Sequence, residues 1–148
     1  MIAAKLAVSG LAGVVFGLLA EGLMLIAATV AFAARGIDNQ FSGGDYLQLL
    51  VGGAAAAALW AAIGLGVGAL VRNQVGAIVG LCVWMLLVES TSASFVPGAG
   101  RLLPGGVGLS LAGNVDELSV AIAALLLLLY AAAASAAGWL VTLRRDIA

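Results

Sequence analysis

Two acidic residues interrupt the long apolar stretches of this sequence. Glu21 lies about halfway along the first stretch, and Glu89 ends the third. A charged side chain at mid-membrane depth costs about 2.5–3.5 kcal/mol on insertion scales, so such a residue usually has a specific partner or function. For Glu21 we consider a proton or cation site. We favour a protonated or hydrogen-bonded packing residue that faces the helix bundle, because the other apolar stretches offer no basic partner.

Glu89 is followed by three hydroxyl residues, so the chain becomes polar at this point. This pattern favours an interfacial acid close to water over a residue in a transport pathway. Arg72 lies in the short polar interruption RNQ, 17 residues before Glu89. At a rise of about 1.5 Å per helical residue, the two charges are about 25 Å apart, close to the full hydrocarbon thickness. We therefore expect each charge to mark one end of the third stretch.

The other residue types exclude most kinds of catalysis. The sequence has no histidine, and its one cysteine, Cys82, lies inside an apolar stretch, which excludes histidine chemistry and a disulfide framework. The stretches GGAAAA and GLGVG lack the lysine and the serine or threonine of a phosphate-binding P-loop. We therefore predict no catalytic, cofactor-binding or metal-binding residues, no cofactor, and a chain that is not an enzyme by itself.

The composition indicates a lipid environment. Of 148 residues, 64% are hydrophobic and 9% are charged, and the mean hydropathy is +1.22. A soluble domain carries about a quarter charged residues, so this chain has too little polar surface to cover a globule in water. The net charge of −1 gives no electrostatic basis for a nucleic-acid partner.

Four stretches are long enough to cross a membrane, since a helix needs about 20 apolar residues to do so. The runs are continuous, which favours helices over the alternating strands of a barrel. We predict an all-α membrane protein, in which a bundle of four transmembrane helices forms a single transmembrane domain over residues 1–148. The predicted spans are residues 6–34, 46–71, 75–96 and 118–143, with a Pro- and Gly-rich outer loop at 97–117.

The first span also has features of a secretory signal peptide, namely Lys5 and the small-residue pattern AFA at 31–33. Its apolar stretch is about twice the usual length for such a peptide, so we favour a retained helix. The connector at 72–74 is so short that the second and third helices must be antiparallel neighbours.

Basic residues set the predicted orientation, because cytoplasmic loops carry an excess of lysine and arginine. Placing the N-terminus in the cytoplasm puts four basic residues inside and two outside, and the opposite orientation reverses this ratio. We therefore expect both termini in the cytoplasm. The inner residues are Lys5, Arg72, Arg144 and Arg145, and the outer residues are Arg35 and Arg101.

Glycines recur at a spacing of four within the spans, a pattern that lets helix backbones approach closely in lipid. We favour packing between helices of one chain over a dedicated dimer face, because glycine and alanine are abundant throughout. The pairs are Gly13 and Gly17, Gly64 and Gly68, and Gly76 and Gly80.

Residues 59–89, LWAAIGLGVGALVRNQVGAIVGLCVWMLLVE, resemble the membrane-spanning permease subunits of the type 2 ABC transporter family, which are exporters. AAKL before the first span, LPGG at 103–106 and RRD at 144–146 support the resemblance, which covers most of the chain. It implies six helices per subunit and an assembly of two permease subunits with two cytoplasmic ATPase subunits. ATP would drive the substrate outward.

On this mapping, the four spans correspond to the third to sixth spans of the family. Residues 97–114 match the outer segment before the last span, which in the family partly dips back into the membrane, and Glu89 lies where the pathway opens outward. The first two spans and the ATPase-docking loop of the family have no counterpart, so the resemblance implies a truncated or split permease. Ser90 stands where we expect a proline from the family pattern.

We therefore predict a multi-pass subunit of the cell membrane that forms part of the translocation pathway of an ATP-driven exporter. Its predicted partners are a cytoplasmic ABC ATPase subunit, a second permease subunit and the lipid bilayer. One alternative is a small proton-coupled multidrug antiporter that uses Glu21, although the loops are long for that class. Another alternative is a non-transporting membrane subunit that stabilises a partner.

Overall fold

Helices account for nearly all of the secondary structure in the computed structural model, which describes residues 2–38, 41–71, 73–96, 98–113 and 118–146. These ranges contain no strand. In chain order the helices are α1 (Ile2–Ala34), α2 (Gly43–Val71), α3 (Gln74–Val83), a π-helical turn (Trp84–Glu89), α4 (Ser90–Phe95), a 3-10 turn (Gly100–Leu102), α5 (Pro104–Leu111) and α6 (Val120–Asp146). In a helix each apolar segment satisfies its own backbone hydrogen bonds, as lipid requires.

Four of these helical segments are long and apolar enough to cross a membrane, which confirms the predicted all-α bundle. They are α1, α2, α6 and the third span, the name used here for the continuous helical segment of α3, the π-helical turn and α4. Their apolar parts are Ala7–Ala34, Gly43–Val71, Val75–Ser92 and Val120–Leu143.

The segment predicted as a loop at 97–117 instead contains the 3-10 turn and α5. Pro104 occupies the first position of α5, where its missing N–H costs nothing and its fixed φ suits a helix. Gly113 follows α5 with a φ of +111°, a conformation that favours glycine. Val107 and Leu111 are 0% and 4% exposed, so α5 belongs to the core of the bundle.

A glycine and several polar residues at the helix ends satisfy backbone groups that lack a partner within the helix. Gly36, with a φ of +65°, ends α1 in a Schellman motif. Ser42 and Asp45 form a capping box at the start of α2, where the Asp45 carboxylate accepts the Ser42 N–H at 2.7 Å. The Asn73 side chain caps α3 by accepting the Val75 N–H at 3.0 Å. The neighbouring residue Arg72, predicted to mark this boundary, lies outside the described residues.

Helix α2 is the central element of the bundle. Helix α1 packs along one side of α2, and α6 packs along another. Helix α5 lies against both α2 and α6, and these three helices supply the apolar core. The core residues are Ala56, Ile63, Val107, Leu111, Ala123, Leu127 and Ala131.

Glycines on α1 allow this helix to approach α2 closely. A Cβ atom at Gly13 would lie 2.8 Å from the Ala57 carbonyl oxygen, and a Cβ atom at Gly17 would lie 2.7 Å from the Ala57 Cβ atom. Ser9 also donates its hydroxyl to the Ala61 carbonyl oxygen across this contact, at 3.3 Å. Packing within the chain is therefore confirmed for the Gly13 and Gly17 pair.

The contact between α2 and α6 depends on glycine in the same way. A Cβ atom at Gly66 would overlap the Ala134 carbonyl group and lie 2.7 Å from the backbone nitrogen of Ser135. On α6, a Cβ atom at Gly138 would lie 2.8 Å from the Gly66 carbonyl oxygen. By contrast, Gly64 and Gly68 have no atom within 4 Å of their Cβ positions, so this pair of glycines makes no close helix contact.

We predict that Gly66→Ala separates α2 from α6 and lowers the free energy of unfolding by about 1–3 kcal/mol, the usual cost of overpacking. The matched control is Gly64→Ala, two residues away on the same helix, where the Cβ position is open. The free energy of unfolding of both variants is measured in mild detergent, with circular dichroism as the probe of helix content. Equal stabilities for the two variants would contradict the close contact at Gly66.

Candidate functional site

Among the charged residues whose side chains the structure describes, Glu89 is the most buried. Its side chain is 9% exposed, although Leu86 and Leu87 beside it are 71% and 60% exposed. The carboxylate is enclosed by protein, because it points to a helix in the segment that the sequence interpretation treated as a loop. The position of Glu89 at the membrane interface stays a prediction.

The Glu89 carboxylate binds the N-terminus of α5. The Gly105 N–H donates to both carboxylate oxygens, at 3.1 Å to Oε1 and 2.9 Å to Oε2. Leu103, the N-cap residue of α5, offers no side-chain acceptor, and Pro104 has no N–H to donate. Glu89 thus serves, from a distant part of the chain, as the acceptor that an N-cap residue normally provides.

A second donor reaches the same carboxylate from within the third span. Trp84 Nε1 donates to Glu89 Oε1 at 3.0 Å. An α-helix takes about 3.6 residues per turn, so residues five apart lie on different faces. In the π-helical turn hydrogen bonds link residues five apart, which brings Trp84 and Glu89 to the same side of the helix. We call Glu89, Trp84 and Gly105 the Glu89 junction.

Gly105 is required at this junction for steric reasons. A Cβ atom at Gly105 would overlap Oε2 of Glu89, so any side chain there would displace the carboxylate. The adjacent Gly106 plays a similar role, since its Cβ atom would overlap the Gly100 carbonyl oxygen of the 3-10 turn. The pair of glycines in LPGG therefore allows both the Glu89 carboxylate and the 3-10 turn to approach α5.

Electrostatics favours this arrangement. A negative charge at a helix N-terminus is stabilised by the aligned peptide dipoles, by about 0.3–1 kcal/mol when exposed and up to about 2 kcal/mol when partly buried. Hydrogen bonds to a charged group contribute about 1.5–3 kcal/mol each. These contributions are of the same size as the cost of placing a carboxylate in a membrane-length helix, so the junction accounts for the presence of Glu89 there.

Glu21 lies at a different place, in the contact between α1 and α2. A Cβ atom at Gly53 would overlap the Glu21 side chain and lie 2.6 Å from its carboxyl carbon. The side chain is half-buried, so Glu21 faces its neighbouring helix, as expected. Within the described part of the chain, Glu21 forms no hydrogen bond or ion pair with another residue. The structure thus does not bring Glu21 and Glu89 into one site.

An apolar hollow adjoins the Glu89 junction. It has a volume of about 300 Å³ and lies between α2 and the third span. Trp84 is shared between this hollow and the junction, and Pro104 is also part of the hollow's lining. The Leu-Pro-Gly order at 103–105 is a signal that could have revealed the start of α5, but no pattern marks the π-helical turn.

Comparisons with protein-family models, with curated proteins and with solved structures find no match for this chain. The contacts of Glu89, Trp84, Gly105 and Glu21 therefore provide the structural evidence about function.

We predict that Glu89→Gln loosens the start of α5, because the amide retains one acceptor oxygen and loses the charge. The free energy of unfolding should fall by about 1–3 kcal/mol. Hydrogen exchange at the Gly105 and Val107 amides should accelerate relative to exchange in the middle of α2. Mass spectrometry of the protein in nanodiscs measures both regions in one experiment.

The matched control for this measurement is Ser90→Ala. The Ser90 hydroxyl donates to the Leu86 carbonyl oxygen within its own helical segment and, among the described residues, forms no hydrogen bond with α5, so its removal should leave α5 unchanged. Unaltered exchange at Gly105 in Glu89→Gln would show that the carboxylate does not hold α5 in place.

Proposed function

We propose that this chain is a membrane-spanning permease subunit of an ATP-driven exporter of the type 2 ABC transporter family and forms part of the translocation pathway. In terms of that family, the chain corresponds to the C-terminal part of the subunit. The observation that carries the proposal is the burial of α5 between α2 and α6. The family resemblance implies that the segment before the last span dips back into the membrane, and α5 is a short buried helix in that segment.

The packing of the third span supports a role in transport. Helices α2, α5 and α6 share one core, whereas the third span buries few of its residues. Helix α3 contacts α2 near the connector, and the far end of the third span is held at the Glu89 junction. A span attached at two places can change its tilt without disrupting the core, as alternating inward- and outward-facing states require.

The proposal includes location, orientation and partners. The chain is a multi-pass protein of the cell membrane with both termini in the cytoplasm. Large apolar side chains cover the outward surfaces of α1 and the third span, which is a surface suited to lipid and to partner helices. The proposed partners are a second permease subunit and a cytoplasmic ABC ATPase subunit. The ATPase supplies the energy, because this sequence has no P-loop.

One observation favours a second candidate, a proton-coupled antiporter. Glu21 is a half-buried carboxyl group in the middle of α1, and it has no hydrogen-bond partner among the described residues. Ionisable residues at such depth often belong to proton relays. The two candidates differ in their energy source, so an experiment that tests whether export needs an ATPase distinguishes them.

The first test is co-purification in mild detergent. We expect an ATPase encoded beside this chain to travel with it, and the complex to hydrolyse ATP, whereas the chain alone hydrolyses none. The control is a complex in which the P-loop lysine of the ATPase is replaced, which should assemble without turnover. Export that needs no ATPase and that is lost in Glu21→Gln would instead support the antiporter.

The second test concerns orientation. In a Cys82→Ala background, single cysteines replace Arg35, Arg72, Arg101 and Arg145, and intact cells are treated with a membrane-impermeant thiol reagent. We expect labelling at positions 35 and 101 alone, because the basic residues favour cytoplasmic termini. Permeabilised cells, in which all four positions should react, provide the control. The reverse pattern in intact cells would contradict the proposed orientation.

A further inference from the structure

The π-helical turn Trp84–Glu89 interrupts a segment that is α-helical on both sides. Val83, before the turn, has φ −61° and ψ −43°, and Ser90, after it, has φ −63° and ψ −40°, values typical of an α-helix. Hydrogen bonds in a π turn link residues five apart instead of four, so the turn holds one residue more than an α-helical turn. The parts of the third span before and after it are therefore offset by about 100°, the rotation of one α-helical residue.

The residues of the turn give no local reason for this geometry. The sequence WMLLVE contains neither the proline nor the glycine that commonly disturbs a helix. Four of its six residues are methionine, leucine or glutamate, which are among the better α-helix formers. The intrinsic preference of this segment is therefore an α-helix, and a contact with another part of the chain must impose the π turn.

Glu89 makes the contact that fixes the turn. Residues 84–88 are all exposed, and none of them belongs to the apolar core, so their rotation about the helix axis displaces no core residue. Glu89 is the buried residue of the turn. Its carboxylate accepts the Gly105 N–H of α5 on both oxygens. The position of this carboxylate is thus the restraint that holds the segment away from an α-helix.

The Glu89 junction and the π turn form together. Residues five apart lie about 140° apart around an α-helix, so in that geometry the Trp84 indole could not donate to a carboxylate that points to α5. In the π turn this hydrogen bond is 3.0 Å long. If the carboxylate leaves the Gly105 N–H, nothing retains Trp84 beside it, and the segment returns to the geometry that its sequence prefers.

We propose that the third span has two registers, selected by the contact between Glu89 and α5. With the carboxylate on the Gly105 N–H, Trp84–Glu89 is a π turn. With the carboxylate released, these residues form an α-helix, and α4 rotates by about 100° relative to α3. A small displacement of α5 is thereby converted into a rotation that changes which apolar side chains of the third span face the bundle. This inference concerns the fold of the chain and stands independently of the exporter assignment.

The test reads the register directly, by solid-state NMR of the full ¹⁵N-labelled chain in aligned bilayers. The ¹⁵N–¹H couplings of a tilted helix vary with the position of each residue around its axis, so they report the rotation of α4 relative to α3. We expect an offset of about 100° in the parent protein. Gly105→Ala should remove it, because the added Cβ atom would overlap Oε2 of Glu89, although this substitution lies in α5. Gly64→Ala, at an open position on α2, is the control and should keep the offset.

Two further variants test the same coupling from within the third span. Glu89→Leu removes the carboxylate and should also abolish the offset, so the test remains decisive if Gly105→Ala does not fold. Deletion of Leu87 removes the extra residue and places Trp84 and Glu89 four apart, on one face of an α-helix. This variant should show no offset and should keep hydrogen exchange at the Gly105 amide slow.

Two results would overturn the proposal. An offset that persists in a folded Gly105→Ala or Glu89→Leu variant would show that the π turn does not depend on the junction. Fast hydrogen exchange at Gly105 after deletion of Leu87 would show that the extra residue does not serve to align Trp84 and Glu89.

Discussion

A carboxylate within an apolar helix bundle must find hydrogen-bond donors, and the way Glu89 finds them shapes much of this structure. One donor is the Gly105 N–H at the start of α5, and the other is Trp84 in the π-helical turn. The first contact places α5 against the third span. The second requires the local change of helix geometry that aligns residues five apart. The junction thus connects the buried helix α5 to the third span, which buries few of its residues.

The second constraint is that α2 has glycines where its neighbours approach most closely. Lipid provides little hydrophobic driving force between helices, so their association depends on close van der Waals packing. Gly52 and Gly66 allow the backbones of α5 and α6 to approach α2, and Gly53 makes room for Glu21 of α1. Close packing on several sides makes α2 the fixed element of the bundle.

These two constraints divide the molecule into a packed unit and a loosely attached span. The unit contains the shared core of α2, α5 and α6, with α1 packed on α2. The third span joins this unit near Asn73 and at Glu89. For the proposed permease, motion of this span relative to the unit would change the contacts of the Glu89 junction. Trp84 belongs both to this junction and to the apolar hollow beside it.

The sequence by itself determined the helical class, the number of membrane-length helices and their approximate bounds, because these depend on local apolar content and chain length. It also identified Glu21 and Glu89 as unusual residues. The tertiary structure decided that Glu89 is buried, that residues 104–111 form a core helix and that Trp84 is a donor. The burial of Glu89 and the core position of residues 104–111 depend on contacts between segments 16 or more residues apart in sequence, such as Glu89 with Gly105. No local pattern encodes which distant N–H a carboxylate will meet.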